Sequence, residues 1–181
     1  NNVPKLPGET LVAIDTSGSM SHKISEKSAV SAVQIAAMLG MMSRRVCERS
    51  RTVLFDTRTR WQNLPDKNIL RNAYEIATPV GATYGNLVLK DVINQGLSLD
   101  RMIFLTDMVL YTDYWGGGAN SFAAEWTKYQ RSPIGKNCKL INVDLVGYGL
   151  STVPSNMKNT RTVAGWSDKI FSMINALESP G

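Results

Sequence analysis

Apolar positions along the chain alternate between two kinds of segment. Thr10-Leu11-Val12-Ala13-Ile14 is a short run rich in strand formers that stops at Asp15, and the polar turn Thr16-Ser17-Gly18-Ser19-Met20-Ser21 follows it. From Ile24 to about Val46 small and apolar residues recur at Ile24, Val30, Val33, Ala37, Met38 and Met41, which predicts a long helix covered over most of its surface. Ser25 and Ser28 early, and Arg44-Arg45 late, agree with capping and dipole preferences. Arg51–Phe55 predicts a second strand and Thr59–Gln62 a short third. Only Asp56-Thr57-Arg58 separates these two, so they pair antiparallel, because a parallel crossover needs roughly a dozen residues.

Asp66 to Ala77 predicts a helix with Ile69, Leu70, Ala73, Tyr74 and Ile76 on its apolar face. A loop from Thr78 to Gly85 leads into a helix from about Asn86 to Gln95, with Gly96 at its stop position. Arg101–Thr106 contains a continuous apolar run, the pattern of a strand buried on both faces, and it ends at Asp107 as the first strand ended at Asp15. After a loop through Asp113 and Gly116-Gly117-Gly118, a helix is predicted from about Ser121 to Gln130 and a strand over Lys139–Val146. A weak strand at Arg161–Ala164 and a helix from Asp168 to Leu177, with Ile170, Phe171, Ile174 and Leu177 inward, complete the series. Strands alternating with helices predict an α/β fold, a doubly wound and mostly parallel six-stranded sheet with one short antiparallel edge strand. Residues 1–9 read as a linker from an upstream domain, 10–178 as the domain and 179–181 as a tail. In such a sheet ligands bind beyond the carboxyl ends of the strands, where strand order reverses.

Composition narrows the class. At 43% hydrophobic and 19% charged over 181 residues, the chain excludes disorder and low-complexity scaffolds, and no apolar run approaches a bilayer span, so no membrane partner is expected. Lys and Arg number 20 against 15 acids, a net +5. Much of the excess sits between Arg44 and Arg60, where Arg44, Arg45, Arg49 and Arg51 form a candidate nucleic-acid or partner patch. Without interleaved aromatics the plainer reading is a solvated helix end. Cys47 and Cys138 lack metal-ligand spacing and read as free buried thiols. No Asn-x-Ser/Thr acceptor occurs, in keeping with a cytoplasmic chain.

Asp15-Thr16-Ser17-Gly18-Ser19 sets one carboxylate and two hydroxyls at alternate positions directly after a buried strand. Hard oxygen donors of this kind suit Mg²⁺, or Mn²⁺ in its place. Asp107 ends a second buried strand and Thr83 lies in a glycine-containing loop opening a helix, so the fold can bring Asp15, Ser17, Ser19, Thr83 and Asp107 to one edge. Nothing in this set serves as general base or activated nucleophile. An aspartyl-nucleophile phosphotransferase would carry a second carboxylate two residues after the first, where this chain has Ser17, and binding is therefore favoured over enzymatic activity. Other candidates have plainer readings. His22 reads as a solvent-facing residue at a helix start, Gly116–Gly118 lacks the tail of a phosphate loop, and Asp113 reads as a loop acid. Asp144 belongs to a strand or its end, and Met38, Met41 and Met42 read as core filler.

With these residues in place, the chain from Thr10 to Leu177 resembles a von Willebrand factor A (vWA) domain carrying a metal-ion-dependent adhesion site. The resemblance implies that Ser17 and Ser19 bind Mg²⁺ directly, Thr83 directly or through water, and Asp15 and Asp107 through water. It also implies an open coordination position that accepts a partner's carboxylate. Gly81-Ala82-Thr83 departs from the Gly-Gly-Thr of many members. The opening Val3–Gly8, the Thr106-Asp107 pair and the closing Gly165–Phe171 are similar to the C-terminal domain of Ro autoantigen (TROVE-module) proteins. That branch implies an intracellular ribonucleoprotein in which an upstream domain makes most RNA contacts. An extracellular adhesion domain is the alternative.

Overall fold

Apolar residues run without a break along the central strands, and successive side chains point to opposite faces, so each strand feeds two apolar layers at once. The computed structural model describes residues 5–63, 81, 83–107, 121–147, 157–167 and 169–179. Its strands are β1 (Leu6–Asp15), β2 (Cys47–Phe55), β3 (Thr59–Gln62), β4 (Arg101–Thr106), β5 (Lys139–Asp144) and β6 (Thr160–Ala164). The described helices are α1 (Ala32–Val46), α2 (Gly85–Asn94), α3 (Phe122–Arg131) and α4 (Ile170–Glu178), and a single 3-10 turn covers Gly18–Ser21. One sheet has the order β3-β2-β1-β4-β5-β6. Every neighbouring pair is parallel except β2 with β3. From β1 the chain winds outward through β2 and β3, then returns to build β4, β5 and β6 on the other side. The reversal places the switch point between β1 and β4.

On one face Val12, Ile14, Leu54, Ile103, Leu105 and Val143 pack under α1 and under Ile170, Phe171 and Ile174 of α4. On the other Leu11, Ala13, Val53, Phe55, Met102 and Phe104 pack under Val88, Leu89 and Val92 of α2 and Phe122, Trp126 and Tyr129 of α3. Phe104 meets Phe55 and Phe122 edge to face, with ring centroids 5.6 and 5.2 Å apart. Gly40 lets α1 lie directly on the sheet, because a Cβ there would stand 2.4 Å from Cδ1 of Ile14.

Several boundaries differ from the sequence reading. Helix α1 begins at Ala32, not Ile24. Residues 23–31 instead close a loop through the Lys23–Ser31 bridge and the Ile24 N–H to Val30 carbonyl bond, 3.1 Å. Ile24 and Val30 still pack on the core from this loop, which is why their spacing imitates a helix. The Gln34 side-chain oxygen accepts the Ser31 N–H at 2.9 Å and marks the true start. Strand β1 begins at Leu6, inside the segment expected as linker, and β2 begins at Cys47, because these two extensions pair with each other. Strand β5 stops at Asp144. Leu177, expected inward, is 50% exposed. The helix expected over Asp66–Ala77 lies outside the described residues. Cys47 and Cys138 are free and buried.

The amino edge of the sheet holds a buried ion pair. Arg101, 3% exposed at the head of β4, donates from Nε and Nη2 to the Glu178 carboxylate at 2.8 to 3.1 Å and from Nη1 to Thr10 Oγ1 at 2.7 Å. Helix α4 is thereby fastened at its last turn to the two central strands. Removing one partner strands the other charge, so Glu178→Gln is expected to cost roughly 3–5 kcal/mol in urea unfolding. The exposed Arg49, which pairs with Glu9 and Glu48, provides the contrast. Arg49→Ala is expected to leave the urea midpoint nearly unchanged. Equal losses from both substitutions would refute the distinction.

Candidate metal centre

Strand β1 ends by burying a carboxylate. Asp15 is 0% exposed. Its Oδ1 accepts the Ser17 N–H at 2.8 Å and its Oδ2 accepts the Thr106 hydroxyl at 2.6 Å, the second bond crossing from β1 to β4 at the switch point. The Ser17 and Ser19 hydroxyl oxygens lie 3.2 Å apart, and the Ser19 hydroxyl donates to Asp107 Oδ1 at 3.2 Å. Asp15, Ser17, Ser19 and Asp107 therefore form one continuous polar chain over the ends of two adjacent strands. Fully buried Met20, whose N–H bonds the Ser17 carbonyl at 3.0 Å, anchors the 3-10 turn that carries the serines.

Thr83 is positioned from both sides. The Gly81 carbonyl accepts the Gly18 N–H at 2.9 Å, and the Tyr84 N–H donates to the Asp56 carbonyl at 3.0 Å. Gly81 has φ +75°, and a Cβ there would meet Thr57 Cγ2 at 2.9 Å, so the close approach needs glycine. The Thr83 side chain makes no hydrogen bond to the other four residues among the described residues. Ala82 lies outside the described residues.

The sequence reading left three contributors unassigned. Asp56 follows β2 as Asp15 ends β1. Its Oδ2 accepts the Thr16 hydroxyl at 3.0 Å and the Arg60 guanidinium at 2.9 Å, and Arg60 also donates to Thr16 Oγ1 at 2.9 Å. This knot holds the second residue of the Asp-x-Ser-x-Ser motif and ties it to the Thr83 loop. Thr106 fixes Asp15. His22, expected to face solvent at a helix start, is 37% exposed and also sets Nδ1 against the Ser19 carbonyl and 3.3 Å from Asp107 Oδ2. The available signal was the repeated apolar-run-then-Asp pattern. The adjacent strands β2, β1, β4 and β5 close on Asp56, Asp15, Asp107 and Asp144 in turn. Asp144 serves locally, its Oδ1 accepting the Val146 and Gly147 N–H groups at 3.0 Å. Within the arginine patch, Arg49 is taken up by Glu9 and Glu48. Asp113 and Gly116–Gly118 lie outside the described residues.

Burial pushes the Asp15 carboxyl up to about 6 against the lowering pull of its hydrogen bonds from Ser17 and Thr106, and nearby Asp107 adds to the rise. Burial likewise raises Asp107, opposed by His22 and Ser19. Among the described residues Asp15 has no ion-pair partner, and no group of three or more His, Cys, Asp or Glu is gathered. The donor set is thus two carboxylates with hydroxyls. It fits a hard divalent cation, which would relieve the desolvated charge, and does not fit zinc.

A doubly wound sheet with Asp-x-Ser-x-Ser after its first strand and an aspartate after its fourth is the arrangement of a von Willebrand factor A domain. The chain belongs to the Ro60 vWA domain family, whose profile matches residues 9–177. Similar solved structures include the Deinococcus radiodurans RO (RSR) protein, at TM-score 0.75 and 20% identity, which covers 97% of this chain and 35% of that one. The Streptococcus sanguinis PilB minor pilin, a D319A mutant, gives 0.60 and 15%, covering 99% of this chain and 65% of that one. The manganese-loaded Plasmodium vivax TRAP protein gives 0.51 and 16%, covering 95% and 72%. The chain therefore spans about a third of the Ro structure it resembles. At these identities the likeness is one of fold. A search of curated protein sequences gave no match.

A buried acid with a raised pKa has a definite linkage sign. Below the ordinary carboxylate range both folded and unfolded Asp15 are protonated. As pH rises the unfolded group ionises first, so stability falls until the folded group ionises near 6. Without divalent metal the domain is expected to lose up to about 3 kcal/mol from this group between pH 4 and 7. Asp15→Asn removes that loss and raises the metal-free urea midpoint at pH 7.5. Parallel pH profiles for the two proteins would show that the burial carries no such penalty.

Proposed function

We propose that this domain is a metal-dependent protein-binding module, with Asp15, Ser17, Ser19, Thr83 and Asp107 holding Mg²⁺ or Mn²⁺ and a partner protein supplying an acidic residue. The observation that carries the reading is the hydrogen-bonded chain from Asp15 to Asp107 across the switch point, with a buried carboxylate that has no cationic partner among the described residues. When bound, the ion supplies a concentrated positive charge for a carboxylate ligand. This chain's own residues do the remaining work. Thr106 and the Ser17 N–H orient Asp15, Asp56 with Arg60 keeps Thr16 from turning, and Gly81 holds the Thr83 loop against Gly18. The manganese-loaded state of the Plasmodium vivax TRAP structure supports a metal role for this fold.

Binding rather than catalysis fits the hydroxyls. The chain's one histidine faces the Ser19 carbonyl and Asp107, and among the described residues no imidazole or amine is set against the Ser17 or Ser19 hydroxyl, whose contacts are to each other and to the Asp107 carboxylate. Membership of the Ro60 vWA family supports placing the parent protein in the cytoplasm as a ribonucleoprotein component, with RNA contacts made mainly by an upstream domain. Among the described residues no helix is long and apolar enough to cross a membrane.

Calorimetric titration with Mg²⁺ or Mn²⁺ is expected to give one site per chain, lost in Asp15→Ala, Asp107→Ala. A pull-down repeated with Mg²⁺ and with EDTA, using wild type and Thr83→Ala, is expected to recover partners only from wild type with metal. Identical partners under all four conditions would exclude the metal from binding.

A further inference from the structure

Unpartnered charges are scattered over the described surface, but four cations among them are gathered along α3. Lys128, Arg131, Lys136 and Lys158 are exposed, and none forms a side-chain hydrogen bond or ion pair among the described residues. All four line one groove along α3, made of two adjoining hollows of about 680 and 470 Å³ that share Ala123, Thr127 and Arg131. Among the described residues no aspartate or glutamate lines either hollow. Like charges left unpaired around one concavity repel each other, and an anionic occupant relieves that repulsion.

The groove is built rather than incidental. Its walls are α3, the turn over residues 132–138 and the approach to β6. The Trp126 indole N–H donates to the Lys158 carbonyl at 3.3 Å. The Gln130 side-chain nitrogen donates to the Gly135 and Cys138 carbonyls at 2.7 and 2.9 Å, and its oxygen accepts the Asn159 amide at 3.1 Å. Gly135 packs so closely that a Cβ would stand 2.1 Å from the Tyr129 carbonyl oxygen. Three separate segments are thus fixed to one another, and a ligand meets a formed surface with little ordering left to do.

The lining selects among anions. Ala123 and the thioether of Met157, both half-buried, give the groove an apolar floor beneath its cationic rim. Trp126 and Tyr129 are only 2% and 1% exposed, so neither offers a ring on which a base could stack. A single-stranded nucleic acid would find phosphate contacts but, among the described residues, no platform for its bases. A peptide with carboxylates and an apolar side chain satisfies rim and floor together. We infer that the α3 groove docks a short acidic peptide segment bearing an apolar side chain, independently of the carboxyl-edge metal cluster.

The test uses the full 181-residue chain, labelled with ¹⁵N and titrated in separate samples with a blocked peptide of mixed Glu and Leu and with oligouridylate of equal charge. The peptide is expected to shift amides of α3 and of residues 157–160 and to bind more tightly than the oligouridylate. Lys136→Glu, Lys158→Glu is expected to weaken the peptide roughly tenfold. Lys128→Glu, at the other end of the groove, should act in the same direction. All three lysines are exposed, so the urea midpoints of the variants should match wild type. EDTA should leave peptide binding unchanged, which separates this proposal from the metal reading. Tighter oligouridylate binding, peptide shifts that neither variant reduces, or no shifts on α3 would overturn it.

Discussion

Burying the Asp15 carboxylate between two central strands is the constraint on which the carboxyl edge depends. A charge taken wholly out of water must be met by donors, and here the donors are the Ser17 N–H and the Thr106 hydroxyl. Thr106 can serve only because β4 lies beside β1, which in turn requires the chain to reverse its winding after β3. The 3-10 turn, the buried Met20 and the Gly18–Gly81 contact all keep the following serines where the buried acid places them. Topology, turn and loop are thus three answers to one desolvation problem.

The two ends of the sheet handle buried charge in opposite ways. At the amino edge Arg101 and Glu178 neutralise each other, and Thr10 takes up a remaining donor. At the carboxyl edge the carboxylates at the switch point face hydroxyls, N–H groups and one imidazole. Full pairing gives a fixed footing for α4. Incomplete compensation gives an edge whose charge is available for a further ligand. The marginal cost of the second arrangement is carried by two apolar layers that continue undisturbed beneath it.

The sequence made the sheet and most of the site legible because strand burial leaves a strong imprint. Met102–Leu105 is apolar throughout since both its faces are covered, and the stop at Asp107 is abrupt. The same abruptness marked Asp15. What escaped were features decided by long-range partners. Leu6 and Cys47 belong to strands only because they pair with each other, and neither local pattern states this. Ile24 and Val30 kept helical spacing while their backbone bonds closed a loop. His22 does reach solvent, and what its local sequence does not state is its contact with Asp107, 85 residues away. Asp56 carries the same strand-end signature as Asp15, inside an arginine-rich window whose net charge says nothing of position.

Four adjacent strands closing on aspartate, in a chain whose net charge is +5, give the molecule a polarity as a whole. At the opposite end Glu9, Glu48 and Glu178 are each met by an arginine, whereas at this edge Asp15 has no ion-pair partner among the described residues, so the unbalanced negative charge lies at one end. Such a body carries a permanent electric dipole along the strands, and in the field of a charged surface it experiences a torque before any contact forms. Approach is then not random in orientation. At low ionic strength the field biases which end of the domain arrives first, and added salt erases that bias while leaving every short-range contact in place.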